Sequence, residues 1–401
     1  MPTSSADVLS LRALNRALLD RQSLLRPSPL PAAEPGEAER AEPAELTARA
    51  ERVIEMIEHL TGLQAQAPFP PYYGLWSRLA GFRPDDLADL LVSRQVVRMA
   101  LMRGTIHLVS ARDGLTLRPA LQPVLDRALH AAFGRRLAGV DHAAVAAAGR
   151  ILVEEKPRTF SELGAELARR WPDHHPDALA QAVRALVPLV QVPPRAVWGK
   201  SGLAAHTSAE AWLGRPLSPR PSLAPLVTRY LAAFGPATVR DIQAWSGLTR
   251  LREAVEELRP GLRVFRDEQG AELFDLPGAP RPDPDTPAPV RLVAEFDNLI
   301  LSHADRARVL SEPHRKRMYA RANTFPGSVL IDGFVAGIWK LTRSRAAAAL
   351  TVELFDPASP RVTDEVSAEG RRLLAFAAPD AADHEVRFGP QGSTNTPSPA
   401  S

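Results

Sequence analysis

The chain has 401 residues and not one is cysteine. That absence excludes disulfides, thiolate zinc sites, iron–sulfur clusters and cysteine nucleophiles together. Nor does any run approach the ~18–20 uncharged apolar residues of a membrane span, which excludes a transmembrane helix. Met1 to Asp20 lacks a basic flank followed by an apolar stretch, so no secretory signal is expected and the chain reads as cytoplasmic. Lysine and tyrosine are scarce. Few groups therefore titrate between pH 7 and 10, and a net charge of only +3 carries the isoelectric point to about 9.5.

What is present is the composition of a soluble globular protein, 45% hydrophobic and 24% charged, with room for two to four domains. Nearly all the basic residues are arginine, as a GC-rich genome alone would produce, but they are also clustered. Residues 92–118 carry Arg94, Arg98, Arg103, Arg112 and Arg118 against Asp113. Residues 305–321 carry Arg306, Arg308, Arg315, Lys316, Arg317 and Arg321 against Asp305 and Glu312. Conversely, Glu34, Glu37, Glu39, Glu42 and Glu45 crowd a Pro-rich stretch. Two basic patches and one acidic loop fit a protein with a polyanion-facing side, or two solvated faces.

Proline, with 38 residues, punctuates the chain. Residues 27–45 read as an inserted acidic loop, 215–221 as a short break, 277–289 as a linker and 390–401 as a disordered tail. Between these breaks one order recurs. In 141–213, Asp141 opens a helix to Glu155, Ser161 is expected to cap a second, and Pro176 starts a third through Leu186. Strands near Val187–Val192 and Val197–Thr207 follow. Residues 221–276 repeat the pattern: a helix ends at Phe234-Gly235, Pro236-Ala237-Thr238 introduces the next, and Thr249 is expected to cap a third. Strands Leu262–Arg266 and Ala271–Leu276 close it. Residues 8–118 fit with helices at Val8–Leu19, 46–60 and from Pro84, then strands Val96–Leu101 and Thr105–Val109. Three helices followed by a hairpin is a winged helix. The expected fold is α+β, three tandem winged helices followed by a small α/β unit at 290–389. In that unit the hairpin 328–341 turns at Asp332-Gly333, and it is either a plain core hairpin or one that probes a minor groove.

Some motifs are decoys. Gly199-Lys200-Ser201 lacks the glycine that a phosphate loop needs five positions before Gly199; that place holds Pro194, which has no N–H. There is no His-Glu-x-x-His, and His174-His175 sits in a Pro-bounded turn, so no metal site is expected. Gln64-Ala65-Gln66 is different. On a helix the two amides would point about 200° apart, but Pro68 pushes Ala67 out of helical geometry. An extended segment would place Gln64 and Gln66 on one side, where two neutral amides can hold a water. A helix end with solvated polar residues accounts for the same spacing. Along the strand after Arg103, alternation puts Thr105 and His107 on one face, for phosphate contact or for an ordinary hairpin. Glu295-Phe296-Asp297-Asn298 and Leu301-Ser302-His303 cluster polar groups just before the second basic patch.

Leu63-Gln64-Ala65-Gln66, Met102-Arg103-Gly104-Thr105-Ile106-His107-Leu108, Trp198-Gly199-Lys200-Ser201-Gly202 and the Phe296–Arg306 block together resemble the AlkZ-type family of winged-helix DNA glycosylases. The likeness covers roughly residues 8–388. It implies a C-shaped arrangement around double-stranded DNA and chemistry by a Gln-x-Gln pair, here Gln64 and Gln66. One branch of that family has Asp at the second position; Gln66 resembles the other, often associated with self-resistance to DNA-alkylating natural products. The 27–45 stretch is longer than the family usually has. The implied reaction is monofunctional hydrolysis of the N-glycosidic bond of cationic N7-alkylated purines, without a cofactor, leaving an abasic site. An alkylated guanine departs neutral, so fixed amide dipoles could suffice to stabilise the sugar and place a water. DNA contacts are expected from Arg103, Thr105, His107, His303, Arg306, Arg308, Arg315, Lys316 and Arg317. Three modules on one chain need no two-fold partner, and a monomer is expected. The competing reading is a non-catalytic winged-helix transcriptional regulator, in which Gln64 and Gln66 would be replaceable.

Overall fold

The computed structural model describes residues 7–31, 43–219, 222–321, 325–344 and 347–389. Most of the expected 27–45 loop and all of the 390–401 tail lie outside them; within that loop Ser28–Pro29 is a short strand beside Leu79–Ala80, and a helix begins at Pro43. The chain is a mixed helix-and-sheet protein whose strands pair mostly antiparallel. No helix among the described residues is long and apolar enough to cross a membrane.

The helix–helix–helix–hairpin order is seen at 142–208, with helices His142–Glu155, Phe160–Ala168 and Pro176–Leu186 before strands Leu189–Gln191 and His206–Ser208. Asp141 caps the first helix as expected, but the second is capped by Thr159 rather than Ser161. The Thr159 hydroxyl accepts from Glu162 N while Glu162 reaches back, a reciprocal pair that Ser161 could not form. At 224–275 the order recurs, and the third helix starts at Arg252 after Leu251, so Thr249 is not its cap.

The hairpins do not stand apart. Strand Val96–Ala100 pairs with Ile106–Ser110 on one side and with Leu189–Gln191 on the other, so two hairpins and the short strand Leu63–Gln64 make one five-stranded sheet. The third hairpin, Arg263–Asp267 with Glu272–Asp275, takes Val8–Leu9 as a parallel third strand. Residues 291–388 build a second five-stranded sheet covered by the helix Pro360–Ala377.

Helix Leu11–Arg21, which begins three residues later than expected, ties these parts together. Its Arg21 makes a buried two-point contact with Asp275 at 2.7 and 2.9 Å. Arg12 and Arg16 donate to the carbonyls of Pro284 and Thr286 at 2.8 and 2.7 Å, so the Pro-rich 277–289 segment is irregular but fastened. The same helix receives the Asp332-Gly333 turn. A Cβ on Gly333, whose φ is +82°, would lie 2.5–2.8 Å from Leu19, Asn15 and Arg16. Asn15 donates to the Gly333 carbonyl at 2.9 Å, and Arg12 and Arg16 hold Asp332. Of the two readings of this hairpin the structure favours the core one: Gly333 is buried against the first helix, while Asp332 is held by Arg12 and Arg16 with its side chain still partly exposed.

Candidate active site

The structure takes the extended alternative, but Pro68 is not its cause: the helix ends at His59, where Thr61 and Gly62 turn with positive φ and Gly62 N donates back to the Ile57 carbonyl at 2.8 Å, and Leu63–Gln64 is a strand. Leu63 pairs with Leu108 and Gln64 with His107, and Ala65 N donates to the Ile106 carbonyl at 2.7 Å. Three outside groups fix this segment. Asn298 donates to the Gly62 carbonyl at 2.8 Å. Buried Arg98 donates to the Ala65 and Ala67 carbonyls at 2.6 and 3.3 Å. Downstream, Phe69 and Tyr72 pack their rings on Trp198 with centroids 5.4 and 4.9 Å apart, which gives Trp198 a packing role while Gly199 and Lys200 stay exposed.

Arg103 occupies the turn between strands Val96–Ala100 and Ile106–Ser110, in the left-handed region at φ +55°. The neighbouring Leu101 and Met102 are buried in the central core with Trp245, drawing the turn inward. A Cβ on Gly247, itself at φ +79°, would lie 3.1 Å from the Arg103 backbone; only glycine lets the two chains come this close. The guanidinium thus meets the Trp245 carbonyl at 2.5 Å and Gln64 Oε1 at 2.7 Å. No carboxylate among the described residues pairs with it, and burial followed by the charge of Arg306 lowers its pKa to about 10. It is a cation at neutral pH, held by neutral oxygens.

These contacts orient both amides. A guanidinium only donates, so the atom of Gln64 facing Arg103 is its oxygen. The Ile106 backbone N–H donates to Gln66 Oε1 at 3.0 Å, which settles Gln66 by the same logic. Both Nε2 groups are left without a protein partner among the described residues; Gln64 is nearly buried and Gln66 exposed. The pair therefore presents N–H donors.

The other expected contacts divide by burial. Thr105 is half-buried and donates to the Met102 carbonyl. His107 is fully buried, with Nδ1 against the Thr105 carbonyl and Nε2 unpartnered; burial and then Arg103 lower its pKa to about 3. His303 is enclosed between Ser302 and the Phe234 carbonyl, and burial and then Arg308 lower it to about 3. Arg308 is buried too and donates to the Pro236 carbonyl at 2.9 Å. For His107, His303 and Arg308 the expectation of DNA contact is corrected: apolar packing around the turn and the 299–310 segment encloses them. Arg306 is half-exposed over the Phe325 ring. Arg315, Lys316 and Arg317 are accessible on the helix Glu312–Arg321, where a basic loop was expected.

Residues outside the expected set complete the site. Arg78 and Asp297 form a buried two-point pair at 2.9 and 2.7 Å. With Gln22, Gln64, Glu295 and Asn298 they line a recess of about 10 Å³, room for one water. The polar block at 295–298 was the signal in the sequence; that Arg78 meets it across 219 positions was not readable there.

The site is thus a strand-borne amide pair whose Gln64 is fixed by a desolvated arginine, beside helix–hairpin units. The family model of AlkZ-like DNA glycosylases matches residues 57–376. The chain belongs to the AlkZ-like DNA glycosylase family, and it is an enzyme of the DNA glycosylase class, which sets aside the regulator reading. Among solved structures it is similar to the Streptomyces sahachiroi DNA glycosylase AlkZ, with a TM-score of 0.71 at 17% identity over 95% of this chain and 100% of that one, a likeness of fold. Among curated proteins none matches.

Proposed function

We propose that the chain is a monofunctional glycosylase that hydrolyses the N-glycosidic bond of cationic N7-alkylated purines in duplex DNA, leaving an abasic site. The observation that carries this reading is the Gln64/Gln66 pair, with both oxygens engaged and both Nε2 groups free. Outward N–H groups suit the oxygen of a water and the acceptor atoms of a purine. They carry the positive end of the amide dipole, so the sugar's developing charge must meet an anion elsewhere. Nothing in this set of amides protonates a leaving base, and cationic lesions need no such help because they depart neutral.

In this reading the three helix–hairpin units are winged helices set in a C around the duplex, and one chain acts as a monomer in the cytoplasm. Arg306, Arg315, Lys316 and Arg317 contact phosphates. A site on a sheet edge admits bulky or crosslinked genotoxin adducts, which fits a self-resistance role. The test is base release from a duplex carrying one N7-methylguanine. Release by the wild type, lost in Gln64→Ala and Gln66→Ala while duplex binding persists, is expected; tight binding without release across small and bulky adducts overturns the reading.

A further inference from the structure

An amide pair that turns donors outward leaves two needs unmet: an acceptor for the proton of the attacking water, and an anion to face the sugar cation. The recess beside Gln64 contains two carboxylates. Asp297 is committed, with both oxygens on Arg78 and one also accepting from Leu299 N. Glu295, exposed at the edge of the same recess, takes no hydrogen bond or ion pair among the described residues. Two other lining residues carry orphaned buried atoms, Asn298 Oδ1 and Arg78 Nε. An acceptor and a donor of this kind are what a bound water satisfies.

Resting on the glycosylase reading above, we propose that Glu295 is the general base of the reaction, acting on a water held in this recess with Gln64 and Asn298. The water accepts from Gln64 Nε2 and donates to Asn298 Oδ1 and to the Glu295 carboxylate. As its oxygen bonds to C1′, the C1′–N9 bond breaks and its electron pair passes to the purine, cancelling the charge that alkylation placed there. The water's proton moves to Glu295 and then to solvent. The products are a neutral alkylpurine, an abasic sugar and one proton. The same carboxylate faces the sugar while it is positively charged.

The surroundings suit a base. Charged and titratable groups near Glu295 are the Arg78–Asp297 pair, which neutralise each other, Arg103 behind Gln64, and Tyr73, raised to about 12 by burial. Arg343, over the Trp198 ring, also acts on Tyr73. None is paired with Glu295, and the partial loss of water where it borders the recess raises its carboxyl above the usual value. A carboxylate that faces the bound duplex repels its phosphates, so removing its charge should not weaken affinity.

The experiment compares wild type, Glu295→Gln and Glu295→Asp in single-turnover release of N7-methylguanine from duplex DNA. Duplex affinity and thermal melting are measured alongside. Glu295→Gln is expected to lower the rate by about 10²-fold, within the range for general bases, with affinity equal or tighter and melting unchanged. Glu295→Asp should recover part of the rate. Wild-type rate should fall toward acid pH with a midpoint above that of an ordinary glutamate, and the Gln variant should lack this limb. A wild-type rate in Glu295→Gln, with Gln64→Ala inactive, overturns the base while leaving the glycosylase reading intact. No release by wild type overturns the reading itself.

Discussion

The two arginine-rich stretches look alike in the sequence but are used in different proportions: the first sends Arg98, Arg103 and Arg118 inside and leaves Arg94 and Arg112 outside, whereas the second buries Arg308 and leaves Arg306, Arg315, Lys316 and Arg317 accessible. In the stretch around the first hairpin, Arg98, Arg103 and Arg118 go inside, and their hydrogen-bond partners are carbonyl and amide oxygens: Ala65 and Ala67, Trp245 and Gln64, Gln122 and Ala185. Burial lowers all three pKa values to about 10, still charged at neutral pH. On the helix Glu312–Arg321, Arg315, Lys316 and Arg317 stay in water and pair with Glu312 and Asp356. Clustered arginine therefore has two uses here. A planar fork of donors can join backbone segments from within, or it can offer loosely held charge to a polyanion. Only the second is an electrostatic footprint.

Breaking the interior arrangement should have the largest effects. Gln64→Ala or Gln66→Ala is expected to reduce base release by about 10²–10³-fold, the range for removing one preorganised donor, with duplex affinity near wild type in a filter-binding assay. Arg103→Met should lower release by roughly 10²-fold through misplacement of Gln64. In a Gln64→Ala background the same change should add little, because the two residues act as one unit. A phosphate-binding Arg103 would instead give additive losses and a shallower salt dependence.

The surface cluster should respond in the other observable. Lys316→Ala is expected to weaken duplex binding a few-fold and reduce the slope of log affinity against log salt by about 1, leaving the single-turnover rate at saturation unchanged. A smaller effect concerns stability. His107 and His303 titrate at about 3 in the fold and near 6.5 when unfolded. Between those values the unfolded chain binds more protons, so stability present above pH 6.5 is lost as pH falls toward 3. Melting temperatures measured from pH 7 to pH 4.5 should decline, and less steeply in His107→Asn.

Local chemistry was legible before the structure. The extended alternative for 64–66 was visible, although Gly62 rather than Pro68 ends the helix before it, Asp141 marked a cap, and Asp332-Gly333 marked a turn. Destinations were not. That His107 faces the interior depends on the turn at Arg103 closing on Gly247, 144 positions after Arg103 in the chain. That the Asp332-Gly333 turn docks on the first helix depends on Arg12 and Arg16. Alternation assigns a residue to a face of a strand, but only tertiary packing decides whether that face meets water or core. The Thr159 cap has a local cause: Thr159 and Glu162 stand three apart and satisfy each other's backbone N–H groups, whereas Ser161 is followed three residues later by Gly164, which has no side chain to reciprocate.

The pairing of Val8 with Arg266 has a consequence for how the chain matures. During synthesis the first helix emerges more than 250 positions ahead of the strand and turn that bury it. Until they arrive, Arg12 and Arg16 lack the carbonyls and carboxylate that hold them, and the third sheet cannot gain its outer strand. Contacts of such long sequence separation form late and slowly. The beginning of the chain is thus the latch that closes last, and a refolding experiment should find the Val8–Arg21 segment protected from hydrogen exchange only in the final phase.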